Sequence, residues 1–341
     1  MRAIRRALAV LIASLLTSAR SKLRLGCEAA PIVHSTPPEA FARARPDAPA
    51  PTPMSVTASE DELAVPVDHV LHDADFERVR RLIRAHAGIH LHAGKHAMVH
   101  SRLVRRLRES NFSSFHDYLD WLEMGQHDDA RAPWQSFVNC LTTNLTSFFR
   151  EEHHFSALAD ELRARARDAG APLRIWCNAA STGEEPYSLA MTARHVLGQN
   201  AAVNIVASDI DTDVLAKAAQ GVYSANASGL HEEQLRQFFL RGTGTNSGQM
   251  RVKPELASLI EFRHFNLMGR DWESLGGAFE IVFCRNVMIY FDRTTQRELL
   301  ARIHRAMKPG GLLFVGHAEN FSDVAKLFRL RGKTVYERVA A

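Results

Sequence analysis

The chain has 341 residues, 46% of them hydrophobic and 23% charged, proportions ordinary for globular proteins. Fibrous, collagen-like and wholly disordered classes are excluded, and no apolar run reaches the roughly 18–20 residues that a membrane-spanning helix needs. The 42 basic and 38 acidic residues leave a net charge of +4, too mild to indicate nucleic acid without a patch that concentrates it.

Residues 1–20 have a basic start and an apolar stretch from Ala7 to Leu16, the form of a secretion signal. Residues 31–53 then hold 7 of the 13 prolines and read as a disordered linker. Met54 follows directly, so residues 1–53 are expected to be a start-site extension or a dispensable tail, ahead of true export. The four cysteines, Cys27, Cys140, Cys177 and Cys284, lack the close pairing of zinc sites and read as reduced thiols of a cytoplasmic protein.

Residues 68–142 read as a helical N-terminal domain of about four helices. Phe76, Val79, Leu82 and Ile83 recur at helical spacing, as do Val99, Leu103 and Leu107, then Phe115, Tyr118, Leu119 and Leu122, then Trp134, Phe137, Val138 and Leu141. From Phe76 to Asn111 there are 9 Lys/Arg against 2 Asp/Glu, and Arg102, Arg105, Arg106 and Arg108 crowd one helix. That face is either solvated or a dock for an acidic partner. His86, His90, His92, His96 and His100 spread across a glycine-containing turn with no carboxylate or cysteine between them, so no metal site is expected.

After Glu152 the pattern changes to short apolar strands alternating with helices, which predicts a parallel α/β sheet. The strands are expected at Leu173–Cys177, Asn204–Ser208, Leu259–Phe265, Phe279–Cys284 and Leu312–Val315, with helices at Pro186–Leu197 and Thr294–Met307 and a turn at Lys308–Gly311. Residues 238–256 read as an inserted hairpin.

Ligands of open parallel sheets sit beyond the carboxyl ends of the strands. Ala179–Glu185, Asp209, Asn266, Arg285 and Asn286 fall there. An acidic residue ending the second strand, 26 positions after Gly183, can accept both ribose hydroxyls of an adenosine cofactor. The turn is STGEEP rather than GxGxxG, and Glu184 and Glu185 at the following helix would repel a pyrophosphate. A cationic ligand suits it better: S-adenosylmethionine carries an adenosine, a sulfonium and an amino group that Glu185 can pair with, and no phosphate. The plainer alternative is that both glutamates only favour the helix dipole.

Several stretches resemble the CheR family of chemotaxis receptor methyltransferases: LTTNLTSFFRE (Leu141–Glu151), NAASTGEEPYS (Asn178–Ser188), ASDIDTDVL (Ala207–Leu215), FCRNVMIYF (Phe283–Phe291) and MKPGGLLFVGHAEN (Met307–Asn320). The resemblance implies a Rossmann-like class I methyltransferase sheet over 143–341, carrying a small antiparallel β insertion at about 224–258, behind the helical domain. It implies transfer of methyl from S-adenosylmethionine to glutamate side chains of transmembrane chemoreceptors. It implies cofactor contacts from Asn144, Thr146, Arg150, Glu185, Asp209, Asn266, Leu267, Arg285 and Asn286. Tyr290 is implied to lie near the transferred methyl, with Arg150 holding either the substrate or the cofactor carboxylate. RGTGTNSG (Arg241–Gly248), with Gly242, Gly244 and Gly248, resembles the loop that docks a receptor C-terminal pentapeptide, and the four arginines gain a role against acidic methylation helices. Departures are Ala318, where GHSEN is commoner, and residues 1–53.

A glutamate carboxylate, pKa about 4.3, is already ionised at neutral pH, so the reaction needs no general base. A degenerate adenosylmethionine sensor is the binding-module alternative. A nucleic-acid methyltransferase is disfavoured because the chain has no Pro-Pro at a strand end. The expected state is a cytoplasmic monomer with no nucleic acid partner and no membrane insertion.

Overall fold

The computed structural model describes residues 69–125, 131–166, 171–200, 202–319, 321 and 325–339. The readings made for residues 1–53 lie outside the described residues.

The helical region contains α1 (Asp73–Ala87), α2 (His96–Glu109), α3 (Phe115–Met124) and α4 (Arg131–Leu141). Their apolar stripes meet in one cluster that includes Val79, Ile83, Leu103, Leu107, Tyr118 and Phe137, each fully buried. Burial of such a side chain stabilises the fold by roughly 1.5–3 kcal/mol. α1 ends on Gly88, whose φ of +71° and close approach to Met268 and Phe291 leave no room for a Cβ. Ser114 caps α3 by accepting the Asp117 N–H.

α5 (His153–Ala166) leads into the sheet. β1 (Leu173–Cys177), α6 (Glu184–Leu197), β2 (Val203–Asp209) and α7 (Thr212–Gln220) follow. The insertion is formed by β3 (Val222–Ser224), α8 (Glu232–Phe238), β4 (Phe239–Arg241), β5 (Gln249–Val252) and the helical turn α9 (Pro254–Ala257). The sheet resumes with β6 (Ile260–His264), β7 (Phe279–Cys284), α10 (Arg293–Ala306), β8 (Met307–Val315), β9 (Phe328–Gly332) and β10 (Val335–Arg338).

The main sheet has the order β6-β2-β1-β7-β8-β10-β9. β6, β2, β1, β7 and β8 pair in parallel, and β10 and β9 add antiparallel, so the sheet is mixed rather than purely parallel. The edge hairpin escaped the pattern because Arg329, Arg331 and Glu337 interrupt its apolar residues; the two arginines pair across the strands with Glu337 at 2.9 and 2.6 Å. The turn expected at Lys308–Gly311 lies inside β8, where Met307 already pairs with Phe279 before the register shifts to Ile281↔Leu312. The expected hairpin is present as β4 and β5, and β3 joins β5 on its other side to give a second sheet of order β3-β5-β4.

Two apolar clusters cover the faces of the main sheet. Ile175, Ile205 and Phe283 point into one, Trp176, Val206 and Val282 into the other, the period-two alternation of strands buried on both sides. The site therefore falls at the carboxyl ends of β2, β1, β7 and β8, beneath the helical region.

Candidate active site

The first strand ends in a turn that is built tightly. Asn178 N–H donates to Phe283 O (3.0 Å), and Gly183 N–H turns back to Ala180 O (3.0 Å). Ser181 adopts φ +49°, and its N–H donates to Asp209 Oδ2 at 2.8 Å. Three amides of the turn are thus already engaged within the protein. Gly183 has φ +101°, and a Cβ there would meet the Tyr223 hydroxyl at 2.6 Å. Tyr223 in turn donates to Thr182 O (2.8 Å), so β3 of the insertion braces the turn.

Asp209 ends β2 and is buried; its Oδ1 accepts the Asp211 N–H at 3.0 Å. Burial raises its pKa to about 6, against the pull of the backbone N–H groups of Asp211 and Ser181. Such a carboxylate suits a pair of neutral sugar hydroxyls. Glu185 opens α6. Its Oε1 accepts the Cys177 thiol (3.2 Å) and its Oε2 accepts Arg285 Nη1 (2.6 Å). Burial pushes the Cys177 thiol well up, and the adjacent Glu185 carboxylate adds to this, so the thiol stays a donor.

Arg285, at the end of β7, has a fully buried side chain. It bridges Glu185 and Glu151, with Nη2 3.3 Å from Glu151 Oε2, and also donates to Arg150 O. Burial works against the Glu151 charge, but Arg285, the His317 N–H and the Asn286 amide together hold its carboxyl below the ordinary range. His154 lies 3.5 Å from Glu151 through Nδ1; burial and the nearby Arg285 charge lower its pKa to about 4. Glu151, His153 and His154 offer ligand atoms within 4.8 Å of one another, but the Arg285 guanidinium already occupies this corner.

The remaining expected residues gather around the same space. A cleft of about 320 Å³ is lined by Asn144, Thr146 and Arg150 from the segment after α4. Glu185, Asp209, Arg285 and Asn286 line it from the strand ends, and Asn266, Leu267 and Tyr290 from the loops after β6 and β7. Asn144 Nδ2 donates to Asp211 Oδ2 (2.8 Å) and Arg150 Nη1 to Leu145 O (2.7 Å). Asn266 Nδ2 donates to His86 O (2.7 Å), and Tyr290 O accepts the His90 N–H (2.7 Å), which ties the helical region to the sheet on both sides of the cleft. His90, His92 and Lys95 line its helical side.

The docking candidates are placed differently. Arg102 donates to Leu141 O (3.0 Å), Thr142 O (2.6 Å) and Thr143 Oγ1 (3.2 Å), so it holds the segment after α4. Arg106 is half-buried, whereas Arg105 and Arg108 are exposed; Arg105 pairs with Glu109 at 2.8 Å. Gly244 (φ +59°) and Gly248 (φ +82°) turn the chain between β4 and β5, and a Cβ on Gly242 would strike Asn246 O at 2.0 Å. β4 is left as an edge strand.

Reading the sequence missed Asn178, Glu151 and Glu319. Asn178 lines the cleft, and its buried amide meets the Cys284 thiol, a weak partner. Its place in the quoted NAASTGEEPYS stretch was the available signal. Taken together, a cleft-lining amide with only a weak thiol partner, a buried carboxylate ending β2 and a turn with engaged amides fit an adenosine ligand that lacks phosphate. S-adenosylmethionine is such a ligand.

Two family descriptions match in succession: "CheR methyltransferase, all-alpha domain" over residues 74–142 and "CheR methyltransferase, SAM binding domain" over residues 144–337. The chain is 50% identical to the chemotaxis protein methyltransferase of Escherichia coli over 268 residues, 78% of this chain and 91% of the relative. It is 50% identical to chemotaxis protein methyltransferase 2 of Pseudomonas aeruginosa over 264 residues, 77% and 92% of the two chains. A probable chemotaxis protein methyltransferase of Rhizobium etli is 37% identical over 263 residues, 75% and 96%. With both matches spanning the helices and the sheet whose cleft has just been described, the chain belongs to the CheR family of S-adenosylmethionine-dependent chemotaxis methyltransferases.

Proposed function

We propose that the protein methylates glutamate side chains of transmembrane chemoreceptors, in the cytoplasm, giving methyl esters. The observation that carries this reading is one cleft bringing the adenosine-directed Asp209 together with Arg150 and Tyr290. Bound S-adenosylmethionine would supply a sulfonium methyl: an O–C bond forms to the carboxylate as the C–S bond breaks, leaving S-adenosylhomocysteine.

The protein's own work is then positional. Asp209 accepts from the ribose, and Glu185, hydrogen-bonded to Arg285, is directed at the ligand's ammonium. Asn144, Thr146, Asn266, Leu267 and Asn286 complete the cofactor's surroundings. Arg150 holds a carboxylate, and Tyr290 orients the methyl. A glutamate nucleophile with a pKa near 4.3 needs no proton removed. Placing its oxygen about 3 Å from the methyl, in line with sulfur, supplies most of the rate. The exposed Arg105 and Arg108 favour an acidic receptor helix, while the β4 edge and its glycine turn suit addition of an extended receptor peptide.

The deciding experiment incubates the full chain with methyl-labelled S-adenosylmethionine and receptor-bearing membranes. Label on the receptor that is released by mild base is expected of a carboxyl ester. Base-resistant label, or none, overturns the reading.

A further inference from the structure

We infer that Glu319 is a positioning residue for methyl transfer: its carboxylate fixes the loop that carries Asn286 and Tyr290. The inference rests on those two being site residues, as proposed above.

Glu319 is only 4% exposed and does not line the cleft. Its Oε2 accepts the N–H groups of Gly316 (2.6 Å) and Asn286 (3.0 Å). Its Oε1 accepts the N–H of Met288 (2.8 Å), and the Ile289 N–H also bonds to the carboxylate. Converging backbone N–H groups form a concavity that selects an anion. Here the anion is part of the chain, and the donors come from the loops after two neighbouring strands, β7 and β8.

Three features make this more than a buried bond. The donors Met288 and Ile289 belong to the single helical turn Met288–Tyr290, whose first N–H groups have no partner inside the turn. Glu319 supplies that partner from outside, which sets where Tyr290 projects. Asn286 has φ +57°, the left-handed region that most side chains avoid and asparagine tolerates better than most, so a fixed partner helps to hold it there. The bond to its N–H supplies that partner. Finally, Gly316 leaves room for both partners to meet: a Cβ there would lie 2.5 Å from Asn286 Nδ2 and 2.9 Å from both Asn286 N and Glu319 Oε2. The neighbour Ala318, where this chain departs from the common motif, is exposed.

The test is Glu319→Gln in the full chain, which keeps the shape but turns an NH2 group toward N–H donors. Labelled methyl transfer to receptor-bearing membranes is expected to fall in kcat by about tenfold to a hundredfold, the scale of a small misplacement of reacting groups. The Kd for S-adenosylhomocysteine, read by calorimetry, is expected to rise far less. Amide hydrogen exchange should quicken in 285–290 and 312–317 while β1 and β2 stay protected. Should Glu319→Gln fold poorly, Glu319→Asp keeps the charge but withdraws the carboxylate by one methylene, with the same kinetic and exchange signature expected. Wild-type kcat in either variant, or exchange quickened evenly through the sheet, overturns the inference. Tyr290→Phe run in parallel separates the two readings. If it slows transfer and Glu319→Gln does not, only the positioning role is lost. If it transfers at the wild-type rate, the site reading beneath fails as well.

Discussion

The helical region and the sheet domain bury different things. Around α1–α4 the core cluster is apolar, and among the described carboxylate, lysine and arginine side chains there Asp75 alone is buried, at the edge of that cluster with His116 3.6 Å away. At the strand ends of the sheet the protein buries Arg285, Asp209 and Glu319, with Glu151 and Glu185 nearly so. A charge buried in this way is tolerated only when paired or hydrogen-bonded. The contrast teaches where the chemistry is: the helices provide a stable roof, and the sheet carries the electrostatic work. If so, the most damaging polar substitution lies in the sheet. Arg285→Ala leaves Glu151 and Glu185 without their shared cation, and breaking a buried ion pair costs about 3–5 kcal/mol. Urea unfolding of this variant against wild type measures it. A loss below 1 kcal/mol would show that the network is hydrated and the contrast false.

The second prediction sharpens the same contrast at Asp209. If Asp209 accepts from the ribose as proposed, Asp209→Asn removes charge-assisted bonds to sugar hydroxyls, each worth about 1.5–3 kcal/mol. Affinity for S-adenosylhomocysteine should therefore drop by tenfold or more, as calorimetry will show. The Asp209 pKa of about 6 adds a pH signature. Binding is full above that pH and weakens as the pH falls through it, and the variant should lose this dependence. Unfolding stability responds with the opposite sign. A raised carboxyl pKa favours the folded state below the ordinary aspartate value, and the contribution is lost as pH rises through about 6. His154, lowered to about 4, makes stability fall as pH drops from its ordinary value toward 4. The two overlap and partly cancel in stability, so binding is the cleaner readout.

How much of this was legible beforehand follows from what is local. β1 and β7 are expected and found with the same ends, because short apolar runs closed by turn residues need no partner to be recognised. α6 begins two residues before the expected Pro186, since Glu184 and Glu185 are themselves helical. The cleft residues were visible as a list at strand ends, as the topology dictates. Their bonds were not. Arg285 meets Glu185 across 100 positions, and Glu319 gathers N–H groups from two separate loops, relations that carry no period. The same limit explains Arg102, which reads as one arginine among four on α2 and is instead bonded to the carbonyls at the end of α4.

Tyr290 tests the proposed division of labour within the sheet domain. Its backbone is tied to His90 of the helical region, and its ring lines the cleft. If the hydroxyl orients the methyl and transfers no proton, Tyr290→Phe should lower kcat by about tenfold, within the range of one lost positioning bond, and leave the S-adenosylhomocysteine Kd unchanged. Complete loss of transfer at normal affinity contradicts an orienting role.

The smallest effect is expected on the helical side, and it is the one that separates docking from scaffolding. Among the four arginines of α2, Arg102 has structural work, and Arg106 is half-buried. Arg105 and Arg108 point to solvent, and the Arg105–Glu109 pair is an exposed one that adds little to stability. Reversing both, Arg105→Glu with Arg108→Glu, should therefore leave the melting temperature and cofactor affinity where they were. Steering of an acidic receptor helix is the property at stake, and it acts over roughly 10 Å at 0.1 M salt. Receptor methylation should fall severalfold at low ionic strength, and the gap to wild type should narrow as salt is added, because screening removes from the wild type the attraction that the variant already lacks. An equal rate at low salt would assign this face to solvation alone, leaving the exposed β4 edge as the remaining candidate for receptor contact.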